Sequence, residues 1–226
     1  MAIKLLELPE EITSSEVFTA ALTHRSAGKN NNERLEFLGD AVLGVVIATL
    51  LFEKFPEYDE GDLSRLRAHL VCKKALAQLA QEVNLGSVIK LGAGERKSGG
   101  HMRSSILADS LEAIFGALYL LKGFEFTSAF IKQLYISQLE QLPDISELKD
   151  PKTQLQEYLQ AKQIDVPRYK VIHESGDGNK KQFTVECVIE ELSCITEGKE
   201  KSKKKAEQLA ARNMLDSLLK NQFINE

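Results

Sequence analysis

The stretch ERLEFLGDAVLGVVIATLLFEKF, residues 33–55, decides the reading of this chain. Its apolar residues recur at helical spacing for more than five turns, and Pro56 stops it, which predicts one long helix over Glu33–Phe55. From Ala41 onward it is apolar nearly all round, the mark of a buried helix. Its first turns are not: at about 100° per residue Glu33, Glu36 and Asp40 fall within about 60° of one face. Acids stacked on a buried helix repel one another and resist desolvation, so they bring no purely structural benefit.

Working outward, a second segment repeats the pattern. In SILADSLEAIFGALYLL (105–121), Asp109 and Glu112 stand three residues apart and are the only charges. Either pair alone is explained by a buried salt bridge or a cap with Arg34, Arg103 or His24 as partner. Both pairs on two apolar helices are better explained by convergence on a hard divalent cation, Mg²⁺ or Mn²⁺, which takes oxygen ligands and offsets the repulsion. Such an ion suits phosphoryl chemistry. The glycine-rich LGAGERKSGG (91–100) lacks the Walker pattern and reads as a flexible loop. Asp62 or Ser64 is expected to cap the helix that follows DEGD (59–62), and Glu60 is ambiguous between cap and ligand.

The helical pattern continues over Val17–His24, Asp62–Val83, Arg103–Leu121 and Phe126–Leu139. After QLPDISELKDPKTQ (141–154) the period changes. Thr153–Lys162 reads as a helix, Tyr169–His173, Gln182–Glu190 and Ser193–Thr196 as strands, and Lys203–Leu219 as a last helix. The fold class expected is an all-α domain, residues 1–146, a linker at 147–150, and a small α+β domain of order α-β-β-β-α, residues 151–226.

Charge follows the same division. The 226 residues sum to −4, but residues 1–150 carry −5 and residues 151–226 carry +1. Lys199–Lys205 reads KEKSKKK, five lysines where the last helix begins. Lysines oppose the macrodipole there, yet lysines plus a helix N-terminus suit phosphate oxygens. Thr153, Gln156, Glu157 and Gln160 form one polar stripe that suits the 2′-hydroxyls of an RNA minor groove. A solvated face and a solubility patch explain the same residues. No apolar run approaches the ~20 residues that span a bilayer, and MAIKLLELPEE turns acidic too soon for a signal peptide. Three cysteines without metal-ligand spacing fit a reducing cytosol, and Cys72 and Cys187 read as core cysteines. His24, His69, His101 and His173 are scattered and read as structural or surface residues.

With those residues in view, NERLEFLGDAVL (32–43), DEGDLSRLRAHLV (59–71), LGAGERKSGG (91–100) and SILADSLEAIFGALYL (105–120) resemble the bacterial ribonuclease III family. DPKTQLQEYLQ (150–160) through KSKKKAEQLAARNML (201–215) is similar to its double-stranded-RNA-binding domain. The resemblance implies a cytoplasmic homodimer, joined through the N-terminal domain, that cleaves both strands of double-stranded RNA with Mg²⁺, or Mn²⁺ in its place. The products it implies are 5′-phosphates, 3′-hydroxyls and short 3′ overhangs, from ribosomal-RNA precursors and other structured transcripts, messenger and transfer RNAs included. It makes Glu36, Asp40, Asp109 and Glu112 the metal-site carboxylates and Asp40 and Glu112 the catalytic pair, with Glu112 bridging ion and attacking water. It sets Glu33 and Glu60 near the subunit interface and substrate. It gives RNA contacts to Thr153, Gln156, Glu157, Gln160, Asn179, Lys203, Lys204 and Lys205. Two positions depart from the family pattern: Asn179 stands where a histidine is frequent, and Glu200 replaces a glycine. Two other functions fit parts of the chain: a dimeric double-stranded-RNA-binding protein that does not cleave, and an all-α nucleotide pyrophosphohydrolase.

Overall fold

A computed structural model describes residues 8–177 and 181–222. The chain divides into two compact units, Met1–Pro143 and Asp144–Glu226.

The first unit is helical. Two short helices, α1 (Glu10–Thr13) and α2 (Glu16–Ala21), precede α3 (Glu33–Lys54). Then come α4 (Glu60–Val71), α5 (Lys73–Glu82), α6 (Ala93–Lys97), α7 (Ser104–Leu134) and α8 (Ile136–Glu140). The largest packing interface lies between α3 and α7, and Leu43, Ile47, Leu51, Leu107, Leu111 and Phe115 lie buried in the core. Averaged over 18 residues with up to two charges tolerated, α3 and α7 are each apolar enough to cross a membrane, with mean hydropathies of 2.0 and 1.4. That corrects the expectation of no apolar run of such length, since both helices tolerate the one or two charges that break their runs. Two-thirds of the α7 window is buried inside the protein but only a third of the α3 window, because α3 leaves Phe37, Val45 and Phe52 exposed along one side.

Three local expectations are corrected by the structure. The single helix expected over Asp62–Val83 is two helices, broken at Cys72, whose backbone is extended (φ −67°, ψ 152°). No proline or glycine marks the break and the leucine spacing runs through it, so the pattern carries no trace of it. Cys72 is therefore an exposed junction residue rather than a core cysteine, whereas Cys187 is buried as read. The cap of α4 is Asp59, whose carboxylate accepts from the Asp62 N–H at 2.7 Å. Near the other end of the unit, Gly123 (φ 80°, ψ −179°) interrupts α7. That left-handed conformation strains any residue with a Cβ.

In the second unit α9 (Ile145–Leu148) and α10 (Pro151–Ala161) precede β1 (Arg168–Ser175), β2 (Gln182–Ile189), β3 (Cys194–Glu200) and α11 (Lys203–Gln222). Asp150 caps α10, accepting from the N–H groups of Lys152 and Thr153. The sheet is antiparallel in the order β1-β2-β3 with Val171 opposite Val185 and Val185 opposite Gly198. Leu155, Leu159, Cys187, Ile189, Ala210 and Met214 form its core. A Cβ on Gly198 would lie 2.3 Å from the Ala206 carbonyl oxygen, so this glycine lets α11 seat on β3. The Thr196 hydroxyl donates to the Ala210 carbonyl at 2.8 Å across the same contact. The segment read as a linker carries α9, and the Gln154 amide donates to the carbonyls of Ser146 and, at 3.0 Å, Lys149.

Candidate metal centre

Two glycines set the geometry. Where α3 crosses α7, a Cβ on Gly39 would stand 1.7 Å from the Glu112 carbonyl oxygen, and one on Gly116 would stand 2.2 Å from that of Leu35. Only backbones without side chains approach this closely. Glu36 and Asp40 flank Gly39, while Asp109 and Glu112 precede Gly116 along α7, so the crossing brings the two acidic pairs face to face. A second tie lies beside it: the buried Asn32 amide donates to the Ser110 hydroxyl at 3.4 Å.

One carboxylate oxygen from each of Glu36, Asp109 and Glu112 lies within 4.8 Å of the other two. Asp40 lies outside this trio and is exposed, but it sits near enough to act on it. Burial first, then the charges of Asp40, Glu36 and Asp109, push the Glu112 carboxyl up to about 7. Burial and Asp109 also raise Glu36. Groups that disfavour one another's ionisation this way are stabilised by a cation among them. An all-oxygen set of carboxylates, half-buried and converging, fits a hard divalent ion.

One protein cation enters the cluster. The Lys73 ammonium, first residue of α5, donates to Asp109 Oδ1 at 2.8 Å, and that hydrogen bond raises its own pKa. Among the described residues none of Arg34, Arg103 and His24, the partners suggested from sequence, pairs with these acids: Arg103 pairs with Glu95 at 2.7 Å, and Glu33 pairs instead with Arg25 at 3.5 Å. Lys73 escaped the sequence reading because the helix break that places it there was not visible.

Beside the carboxylates lies a cavity of about 440 Å³ lined by His24, Arg25, Asn32, Glu33, Glu36, Glu95, Arg103 and Asp109. His24 is thus a lining residue rather than a scattered one. Its Nδ1 sits 2.8 Å from the Ser26 hydroxyl, which accepts from the Gly92 N–H at 3.0 Å. The glycine-rich loop is not free: it forms α6 and a 3₁₀ turn at Gly100–Met102. A Cβ on Gly92 would stand 2.2 Å from the Ser26 carbonyl oxygen, so the loop closes against residues 24–26. Glu95 was overlooked, although it is the one acid of that loop. Glu60 stands apart on α4, accepting from the Ser64 hydroxyl at 2.8 Å, beside a second cavity of about 640 Å³ with Phe52 and Tyr58.

In the second unit Gln156, Glu157 and Gln160 are exposed on α10 and Thr153 is half-buried. Thr153 donates to Asp150 at 2.9 Å, and Glu157 pairs with Lys149 at 2.7 Å. Lys203, Lys204 and Lys205 are exposed in the first turn of α11. Asn179 lies outside the described residues. Glu200 ends β3 half-buried and opposite Phe183, its carboxylate accepting from the Lys201 N–H.

Both units resemble known proteins. A family model described as Ribonuclease-III-like matches residues 14–139, and one described as a double-stranded RNA binding motif matches residues 151–218. The chain is similar to a protein named Ribonuclease 3 from Shewanella halifaxensis, 50% identical over 210 residues that cover 93% of each. It is 54% identical over 193 residues to the Ribonuclease 3 of Nitrosomonas eutropha, covering 85% of this chain and 78% of that one. Among solved structures, a nuclease domain of ribonuclease III from Campylobacter jejuni superposes with a TM-score of 0.55 at 42% identity, over 61% of this chain and 99% of that one. Another structure of that domain, described for flexibility in a region involved in dimer formation, gives 0.54 at 45% identity, over 57% and 94%.

Proposed function

From the premise that this chain belongs to the ribonuclease III family, we propose that it is a Mg²⁺-dependent endoribonuclease cutting both strands of double-stranded RNA. It leaves 5′-phosphate and 3′-hydroxyl ends with short 3′ overhangs. That the enzyme is an endoribonuclease with a double-stranded-RNA-binding domain follows from the family itself. The observation that carries the finer reading is the convergence of Glu36, Asp109 and Glu112 within 4.8 Å, on helices whose contact is set by two glycines.

Those three carboxylates, with Asp40 beside them, would hold the ion. A divalent ion there supplies an acidified water and neutralises charge on the leaving oxygen. The chain's own groups divide the remaining work. Glu112, the most buried of the four, would be ionised with the ion bound and would accept a hydrogen bond from the attacking water. Asp40, exposed and close enough to act on Glu112, would face substrate and orient water. In the second unit Lys203, Lys204 and Lys205 take phosphates, and Thr153, Gln156, Glu157, Gln160 and Asn179 face the minor groove.

A homodimer supplies one site per strand, matching its two-fold axis to that of the duplex. The exposed stripe of Phe37 (81% exposed), Val45 and Phe52 on α3 is the apolar face such a partner would cover, flanked by Glu33 on one side and Glu60 on the other. Ribosomal-RNA precursors and structured messengers in the cytoplasm are the substrates this role implies.

End-labelled long double-stranded RNA, incubated with the enzyme in Mg²⁺ and in excess chelator, tests the proposal. Short duplex products should appear only with Mg²⁺, and Asp40→Asn or Glu112→Gln should abolish them while RNA still shifts on a gel. Retained turnover in the double variant would overturn the site assignment.

A further inference from the structure

Lys73 is placed against its local preference. A cation at the first position of a helix opposes the macrodipole, yet Lys73 opens α5 with its ammonium 2.8 Å from Asp109 Oδ1. Its position is built. The extended backbone of Cys72 turns the chain between α4 and α5, and the buried Tyr135 hydroxyl donates to the Leu70 carbonyl at 3.2 Å, fixing the last turn of α4 just before it. The stem remains mostly in water, with the side chain 66% exposed against 26% for Asp109, so the ammonium can withdraw without unpacking anything. Lys74, the next residue, is exposed and makes no ion pair among the described residues.

We infer that Lys73 is the internal counter-ion of the carboxylate cluster, holding Asp109 when no divalent ion is present and competing with that ion for the site. The inference rests on the ion-site reading and adds to it a residue that lowers the affinity of the site for its metal. An ammonium and a divalent cation a few ångströms apart on one carboxylate repel, so ion binding must displace the lysine. In return the lysine keeps the three acids from forcing α3 and α7 apart before the ion arrives.

Mn²⁺ binding to the full-length protein without RNA, followed by the electron paramagnetic resonance of free Mn²⁺, tests this directly. Lys73→Gln should bind Mn²⁺ about three- to tenfold more tightly than wild type. Lys73→Arg, which keeps the charge, should stay near wild type. Lys74→Gln, which makes the same change of net charge one residue away, should tighten binding less than Lys73→Gln. Melting in excess chelator adds a second readout: Lys73→Gln should melt lower than wild type there and gain more from saturating Mn²⁺. Equal or weaker Mn²⁺ binding by Lys73→Gln, or an equal effect from Lys74→Gln, overturns the lysine assignment and leaves the ion site standing. A wild type that binds no Mn²⁺ overturns both.

Discussion

Glu112 is where burial is felt most strongly among the carboxylates, only 8% exposed and facing three like charges. Its carboxyl, pushed up to about 7, holds a proton more tightly in the native state than in the unfolded chain. The stability this contributes is fully present below the ordinary value of 4.5 and is lost as pH rises through about 7. Without a divalent ion, the loss across that window is at most about 3 kcal/mol. Melting in chelator at about pH 5 and about pH 8 should therefore show a fall that Glu112→Gln largely removes, because the amide cannot ionise. An unchanged slope in the variant would mean that another group carries the titration. Saturating Mg²⁺ should flatten the wild-type profile by stabilising the ionised form.

At the scale of elements, the crossing of α3 and α7 is the feature on which the site depends, and two glycines of α3 respond differently to one methyl group. Gly39→Ala drives a Cβ into the Glu112 carbonyl and must spread the helices, at about 1–3 kcal/mol or more. It separates Glu36 from Glu112, so Mn²⁺ binding should weaken together with the melting temperature. At Gly44, further along the same helix, an added methyl would meet nothing within 4 Å. Gly44→Ala should raise stability by about 0.5–1 kcal/mol, the helix-propensity gain alone. Differential melting of the two variants checks both signs. A tolerated Gly39→Ala would show that the crossing relaxes without disturbing the carboxylates.

For the whole molecule, the separation of labour between units has a measurable consequence. The carboxylates proposed to hold the ion belong to the first unit, and the exposed lysines that open α11 belong to the second. Replacing Lys203, Lys204 and Lys205 together by Ala should weaken double-stranded RNA binding while leaving Mn²⁺ affinity unchanged. If each lysine neutralises one phosphate, the slope of log affinity against log salt should flatten by about 0.9 per lysine. An unchanged slope would return those lysines to the role of a solubility patch.

The sequence by itself determined the two long apolar helices and the helix, three strands and helix that follow them, because hydrophobic period and turn chemistry are local properties. It also determined the identity of the acids, because four carboxylates on two apolar segments are conspicuous without any fold. The convergence of Glu36, Asp109 and Glu112 is a matter of which faces meet, and Gly39 and Gly116 looked ordinary until each was found against the other helix's backbone. Only the tertiary structure decided that Cys72 breaks a helix whose apolar spacing is uninterrupted, and so that Lys73 reaches Asp109. It likewise decided that His24 lines one cavity with Glu95 and Arg103, some seventy residues further along the chain. A period along the chain records which side of an element is buried; it carries no record of the partner element, and the distances on which this chemistry depends are set between elements.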